Sequence, residues 1–323
     1  MRVLVTGMGG VLGTRAAQML ESRPDVEDVA GFDYVPPRRR LMRATFKRID
    51  PDDRDRITDF VTEFEPHAVA HFGIYEPDAR KPPREAARAT EICTVAALGA
   101  AARTGALERI AVRSGLEVYG RGAGRPLFPD ERAPLAPTTP FGRTLLDVEA
   151  MGVDVARRHD VSVASLRFAV IAGSHIPSPL VRLLRLPAVP VPAFSDPPFS
   201  LLHHDDAARV MVEALVRGFD GPLNIVGPGA TSPWQAVRLG GRVPVPVVGV
   251  GWAAAKRAAE LAGSPLPRQV EEVLRHGRVG DGTAAVDALD LGFLHPTQEV
   301  LTEIFEWATV TPIETAARAV EVA

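Results

Sequence analysis

Residues 6–13 read Thr6-Gly7-Met8-Gly9-Gly10-Val11-Leu12-Gly13, and this stretch decides the fold. It follows the apolar run Val3–Val5 and leads into a helical pattern that begins at Thr14. A strand, a glycine loop and a helix in this order form a dinucleotide phosphate site, in which the helix N-terminus faces the anion. The spacing G-x-x-G-x-x-G allows a sharp turn, a close approach to a pyrophosphate and tight packing of helix on strand. The residues predicted to contact the cofactor here are Gly7, Gly9, Gly10, Val11, Leu12 and Gly13.

The acidic residue that such a motif requires is present as Asp33. A carboxylate at the end of the second strand accepts hydrogen bonds from a ribose 2′-hydroxyl and repels a 2′-phosphate. The arginines at 38–40 could hold a phosphate, but Pro36 and Pro37 separate them from Asp33, which favours a solvated basic turn. The sequence therefore predicts NAD, with NADP as the less favoured cofactor. A glycine-rich turn without a ligand is the alternative.

Composition excludes several classes of protein. The 323 residues are 46% hydrophobic and 24% charged with a net charge of -3, which is ordinary for a globular protein and indicates neither nucleic acid nor an anionic membrane as partner. Cys93 is the only cysteine, which rules out an internal disulfide and a multi-thiolate zinc site and suits a reducing compartment. We find no signal peptide and no apolar run of about 18 residues, so we expect a cytoplasmic protein.

The first half alternates short apolar runs with helical patterns, which is typical of β-α-β units. We therefore expect an α/β fold, a doubly wound parallel sheet of the Rossmann type with a ligand at the carboxyl ends of its strands. The predicted strands are Val3–Val5, Val29–Phe32, Ala44–Ile49, Ala68–Phe72, Arg109–Val112 and Val163–Phe168. The predicted helices between them are Thr14–Ser22, Arg54–Phe64, Arg84–Thr104 and Phe141–Arg158.

The second half is expected to form a smaller C-terminal region that caps the substrate. Seven prolines between Pro177 and Pro198 exclude a long helix or a central strand, and the segment is either a flap over the sheet edge or a surface linker. We place the dinucleotide-binding domain at 1–170 and the capping region at 171–323, with 202–226 returning to the sheet. The further elements predicted are a helix at Asp205–Arg217, a strand at Leu223–Val226, and helices at Trp252–Ala262, Arg268–Arg275 and Thr297–Ala308.

Several motifs together resemble the extended short-chain dehydrogenases/reductases, the group that includes nucleotide-sugar epimerases and dehydratases. The resemblance spans residues 3 to about 300 and implies an NAD-dependent oxidoreductase acting on a sugar nucleotide or another polar carbonyl or alcohol. Its marks are the glycine loop, Asp33, Asp50 ending the third strand, Val118-Tyr119-Gly120, Leu202-His203-His204-Asp205-Asp206-Ala207-Ala208-Arg209, and Leu291-Gly292-Phe293-Leu294-His295-Pro296.

The resemblance also implies cofactor contacts outside the glycine loop. Asp50 matches the residue that meets the adenine amine, although an N-cap of the following helix would also explain it. Gly73 and Ile74 lie where the family lines the diphosphate and ribose. His71 precedes them among apolar neighbours, and we interpret it as a core histidine.

The family's catalytic hydroxyl, tyrosine and lysine are all missing. Gly115, Phe141 and Leu145 stand at the three positions, and none of these side chains can exchange a proton. Ser114 could restore the hydroxyl by a shift of one residue. Glu117, where family dehydratases carry an acid, is a candidate base with a solvated carboxylate as the alternative, and Tyr119 is a candidate acid that in the family mostly packs.

The run His203-His204-Asp205-Asp206 suggests a metal cluster, but neighbouring residues on a strand point to opposite faces. We therefore predict no metal site and assign Asp205 or Asp206 as a helix cap.

Two further expectations concern function and assembly. The protein is either an enzyme with an atypical acid–base set, an NAD-binding sensor or assembly protein without chemistry, or a non-redox enzyme that reuses the pocket. The family resemblance implies a homodimer through its two long helices, and the residues proposed for that face are Val95, Leu98, Ala102, Leu146 and Val153.

Overall fold

The computed structural model describes residues 1–77, 81–122, 124–174, 176, 178–292 and 294–306. Pro177 of the proline-rich segment, Phe293 of the late family mark and Ala308 at the end of the last predicted helix lie outside these ranges. The strands are β1 (Arg2–Thr6), β2 (Asp28–Asp33), β3 (Thr45–Arg48), β4 (Ala68–His71), β5 (Arg109–Gly115), β6 (Ser162–Phe168), β7 (Val170–Ala172), β8 (Ala188–Pro192), β9 (Leu201–His203), β10 (Gly221–Ile225) and β11 (Val243–Val247).

The helices surround and extend these strands. They are α1 (Val11–Glu21), α2 (Arg54–Phe64), α3 (Pro83–Arg103), α4 (Pro140–His159), α5 (Pro179–Leu184), α6 (His204–Arg217), α7 (Pro233–Leu239), α8 (Gly251–Leu261), α9 (Arg268–His276), α10 (Thr283–Leu289) and α11 (Thr297–Glu306), with a 3₁₀ turn at Leu116–Tyr119.

Seven parallel strands form the main sheet in the order β10-β6-β5-β4-β1-β2-β3. The strand order reverses between β1 and β4, and in open α/β sheets the crevice at such a switch point is where ligands bind. Helices α2, α3 and α4 pack side by side, while α1 and α6 pack against each other. The predicted doubly wound α/β sheet is therefore confirmed, and its edge strand β10 lies within residues 202–226.

A second, smaller hydrophobic cluster lies in the C-terminal part of the chain. It joins α5, β8, α7, α9 and α11 around Phe199, Leu201 and Leu266. Strand β8 pairs in parallel with β11, and both strands contain prolines, which are tolerated at the edge of a sheet. The proline-rich segment thus contains a short helix and an edge strand packed into a core, and the surface-linker interpretation is wrong.

Two residues predicted for the dimer face belong to the core instead. Leu98 and Ala102 on α3 are 1% and 6% exposed and pack in the main hydrophobic cluster. Val95 on α3 and Val153 on α4 are 43% and 50% exposed. The spacing could not distinguish the two faces of α3, because 8 of its 21 residues are alanines, which give little contrast between a buried and an exposed face.

Candidate functional site

The glycine loop connects β1 to α1 with very little space for side chains. Gly7 has φ +65°, and a Cβ on Gly9 would lie 1.7 Å from the carbonyl oxygen of Val35. Gly10 caps α1 without a side-chain hydrogen bond, so the first N–H groups of the helix have no side-chain acceptor. These N–H groups, with the positive end of the helix dipole, suit an anion.

Asp33 lies beside this loop at the end of β2 and is 5% exposed. Its Oδ1 accepts a hydrogen bond of 2.7 Å from the backbone N–H of Tyr34. Burial raises the pKa of Asp33 to about 6, although backbone N–H groups of Tyr34, Val35, Gly10 and Gly9 favour the ionised form. Arg38, one arginine of the basic turn, lines the same cavity as Asp33.

A cavity of about 620 Å³ extends from the glycine loop across the carboxyl ends of the central strands. A cavity of this volume can hold most of a cofactor or a drug-sized ligand. It contains all six loop residues predicted to contact the cofactor, together with Asp33, Ile74, Ser114 and Glu117. Its far wall comes from residues around α5, including Ile176, Ser178, Pro179 and Arg182.

Two of the predicted cofactor residues do not line this cavity. Gly73 is buried behind the wall, where an added Cβ would lie 2.6 Å from Cys93 Sγ. Asp50 is exposed, and its Oδ1 accepts a hydrogen bond from the backbone N–H of Asp52. Asp50 is also not the N-cap of α2: that residue is Asp53, whose side chain accepts from the N–H of Arg56.

Ser114 lines the cavity, and its hydroxyl is hydrogen-bonded to Glu149, which does not line it. Its hydroxyl donates a 2.5 Å hydrogen bond to Glu149 Oε1 on α4. Glu149 in turn forms a buried ion pair with Arg167 on β6, with Arg167 Nη2 2.8 Å from Oε2. Since the Ser114 proton is engaged with Glu149, the hydroxyl can offer a ligand only its acceptor lone pairs.

Tyr119 belongs to the same buried network and does not reach the cavity. It is fully buried, its hydroxyl donates to Asn224 Oδ1 at 2.7 Å, and it accepts from Arg167 Nη1 at 2.9 Å. Burial raises the pKa of its phenol, although the Arg167 charge opposes this. The structure therefore contradicts Tyr119 as the acid and shows it packing, as the family resemblance implied for most members.

Glu117 places its carboxylate beside Gly115, one of the three positions without a catalytic group. A Cβ added at Gly115 would lie 2.2 Å from Glu117 Oε2 and 3.1 Å from Leu145 Cδ1. The carboxylate thus fills the space that a side chain at position 115 would occupy. Its Oε1 pairs with Arg278 Nη1, and Arg278 is 1% exposed and also bonds Glu272 Oε1 at 2.7 Å. Glu117 is therefore held by a buried cation, and the solvated interpretation is wrong.

Two apolar side chains and a guanidinium also lie around the missing groups. Phe141 and Leu145 line the cavity at 6% and 1% exposure. Arg113 also lines it; desolvation lowers the pKa of its guanidinium, and the charges of Glu76 and Glu117 raise it. The site thus presents a carboxylate and a guanidinium beside an apolar wall.

Sequence reasoning missed Glu149, Arg167 and Arg278. Glu149 could have been found in the sequence, because it is a carboxylate on the apolar face of α4. Leu145 and Val148 define that face. Arg278 could not have been found in this way, because it follows α9 in a segment without periodicity and reaches Glu117 only through the tertiary fold.

The segment 203–206 also differs from expectation. His203 ends β9 and caps α6, accepting from the N–H of Asp205, so neither Asp205 nor Asp206 is the cap. Helix α6 begins at His204, so the alternation of side chains along a strand does not apply to Asp206. A carboxylate oxygen of Asp206 lies within 4.8 Å of an imidazole nitrogen of His203.

His71 is confirmed as a core histidine. It is fully buried between Thr6 Oγ1 at 2.8 Å and Thr94 Oγ1 at 2.9 Å. Burial lowers the pKa of its imidazole to about 4.

The chain resembles known proteins in both sequence and fold. The sequence pattern of the NAD dependent epimerase/dehydratase family matches residues 3–226. The chain belongs to this family. An uncharacterised protein of Mycobacterium tuberculosis, Rv0501, is 30% identical over 322 residues, covering 96% of this chain and 85% of its own length.

Solved structures with the same fold include UDP-sugar epimerases. A UDP-glucuronic acid 4-epimerase from Bacillus cereus, in complex with UDP-glucuronic acid and NAD, has a TM-score of 0.73 at 17% identity over 95% of this chain and 98% of its own. A UDP-glucose 4-epimerase from Brucella ovis in complex with NAD has a TM-score of 0.71 at 21% identity over 94% and 96%. Among the described residues, no helix is long and apolar enough to cross a membrane.

Proposed function

We propose that this protein binds NAD in the cavity and oxidises or reduces a sugar nucleotide, or another polar alcohol or carbonyl compound, with Glu117 as its acid–base group. The observation that carries the proposal is the Glu117 carboxylate, which fills the space of the absent side chain at Gly115 within the cavity. Membership of the family and the UDP-sugars bound by the structural neighbours support the substrate class.

The residues of the cavity fit NAD. The uncapped start of α1 would receive the pyrophosphate, and Asp33 would accept the hydrogen bonds of the adenosine ribose. Ile74 would line the wall, while Gly73 supports it from behind. When bound, NAD supplies a hydride acceptor, and NADH a donor.

Glu117 would take the proton of a substrate hydroxyl or return it to a carbonyl oxygen. Its Arg278 partner holds the carboxylate in position, and there Glu117 would begin as the base. Ser114 would accept a hydrogen bond from the same substrate hydroxyl and orient it. Phe141 and Leu145 exclude water from this part of the cavity.

Replacing Glu117 tests the assignment. In Glu117→Gln the side chain keeps its shape but loses its proton affinity, so we expect kcat to fall about 100-fold or more. Hydride transfer is followed by nicotinamide absorbance with a panel of UDP-sugars, and the NAD Kd should change little. The exposed Glu63→Gln on α2 is the matched control. Unchanged turnover in Glu117→Gln would remove Glu117 from the mechanism.

A sensor or assembly protein without chemistry is the second candidate. The observation that favours it is the apolar surface of Phe141 and Leu145 where the family resemblance places tyrosine and lysine. Tight NAD binding without hydride transfer to any of the panel would select this candidate over the enzyme.

We also propose the arrangement around this site. Residues 1–170 with 202–226 would form the cofactor unit, and the rest of 171–323 would cap it. Two copies would pair through α3 and α4, where Val95, Leu146 and Val153 remain accessible.

A further inference from the structure

Two histidines and an aspartate meet where α6 begins. One imidazole nitrogen each from His203 and His295 and one carboxylate oxygen of Asp206 lie within 4.8 Å of one another. His203 and Asp206 flank the start of α6, and His295 comes from the segment just before α11. We call these three residues the His–Asp–His cluster.

The carboxylate of the cluster is oriented by its neighbours. Asp206 is 3% exposed, and its Oδ1 accepts from Arg209 Nη2 at 3.0 Å. Its Oδ2 faces His295, accepting from the backbone N–H at 2.7 Å and lying 2.8 Å from Nδ1. Hydrogen bonds of this kind fix the direction of ligating carboxylates in metal sites.

One ring nitrogen of His203 lies close to a second carboxylate, that of Glu303. Its Nδ1 accepts from the N–H of Asp205 at 3.3 Å, so Nδ1 carries no proton. Its Nε2 lies 3.0 Å from Glu303 Oε2 on α11. A cation that replaces the Nε2 proton would therefore find the Glu303 carboxylate next to it. The rings of His203 and His295 are adjacent, with centroids 4.3 Å apart.

The geometry points to a binding site for a divalent cation of the zinc class, ligated by His203, Asp206 and His295 with Glu303 beside them. Imidazole ligands select zinc and its neighbours over magnesium and calcium, which prefer oxygen. Metal–ligand bonds of about 2.0–2.2 Å require the three ligand atoms, which lie within 4.8 Å of one another, to approach a common ion, and the His295 side chain, 43% exposed, has room to move. The two carboxylates would balance the charge of the ion.

The ion would fasten the C-terminal part of the chain to α6, a helix that packs on the main sheet. Helix α11 packs on β9, and the cluster joins the segment preceding α11 to the first turn of α6. The site is independent of the cofactor and of the proposed reaction. Binding to the folded state alone raises the thermal midpoint, by about 5 °C at a hundredfold excess over Kd.

Zinc titration of the tag-free, chelator-treated full chain tests the site. Calorimetry should give about one Zn²⁺ per chain with a raised Tm, and Mg²⁺ should produce neither effect. His295→Ala should lose both effects. His276→Ala, at an exposed histidine ending α9, should keep them.

Two outcomes would overturn the site: no zinc binding by the wild type, or equal binding by His295→Ala. If the alanine variant does not fold, His295→Gln serves in its place, because an amide can still hydrogen bond Asp206 but is a poor zinc ligand. Binding retained in His295→Gln would equally overturn the site.

Discussion

His71 lies in the middle of the main sheet with a defined proton position. The N–H of Gly73 donates to Thr6 Oγ1, so the Thr6 hydroxyl is directed to donate to His71 Nδ1. Thr94 donates to the carbonyl of Thr90, so it accepts from His71 Nε2. The imidazole is thus neutral with its proton on Nε2, fully satisfied and inaccessible to a substrate.

This histidine predicts how stability depends on pH. Because its pKa falls from 6.5 in the unfolded chain to about 4 in the fold, only the unfolded state takes up a proton between these values. The free energy of unfolding should therefore fall by about 2 kcal/mol from about pH 7.5 to about pH 5 through His71 alone. Urea denaturation of wild type and His71→Gln measures the difference. An equally steep loss in both proteins would contradict the prediction.

At the residue scale the sequence predicted the cofactor half of the cavity better than the reactive half. The glycine loop and Asp33 are local, because one turn and one strand end position them. Ser114 was found in sequence, but its partner Glu149 lies on another helix. Glu117 was also found, whereas its Arg278 partner is 161 residues away and no local pattern connects them.

At the element scale, one buried network ties α4 to the strands at the reactive end of the sheet. Glu149 on α4 accepts from Ser114 on β5 and from Arg167 on β6. Arg167 also donates to Tyr119, which bonds Asn224 on β10. The network fixes the register of three strands against the helix that carries Phe141 and Leu145.

Breaking this network should be costly. Glu149→Gln leaves the Arg167 charge buried without a counterion, and we expect a loss of about 3 kcal/mol in the free energy of unfolding. Asp147→Asn, an exposed change on the same helix, should stay within about 0.5 kcal/mol of wild type. Denaturant titrations compare the two variants. A similar loss in the free energy of unfolding in both variants would show that the Glu149–Arg167 ion pair makes no specific contribution to stability.

The elements of the main sheet could be predicted because buried parallel strands are short apolar runs between amphipathic helices. Strands β7, β8, β9 and β11 were missed. They are three to five residues long, and β8 and β11 contain prolines, so they depend on tertiary pairing rather than on local pattern.

At the scale of the whole molecule, the family resemblance and the exposed side chains of α3 and α4 lead us to expect a dimer. Val95→Arg combined with Val153→Arg would place charges in the proposed interface, because these valines are 43% and 50% exposed. Sedimentation should show a wild-type dimer at micromolar concentration and a monomeric double variant. Leu261→Arg, at a 90% exposed position on α8, should remain dimeric. A monomeric wild type would contradict the proposal.

Our central proposal is that NAD binds in the cavity at the glycine loop, and calorimetric titration of the purified chain with NAD and NADP tests it most directly. At about pH 7.5 Asp33, with its pKa of about 6, is ionised and should repel a 2′-phosphate. We predict one NAD per chain and at least tenfold weaker binding of NADP, with discrimination lost in Asp33→Asn. Absence of NAD binding, or a preference for NADP, would contradict the account.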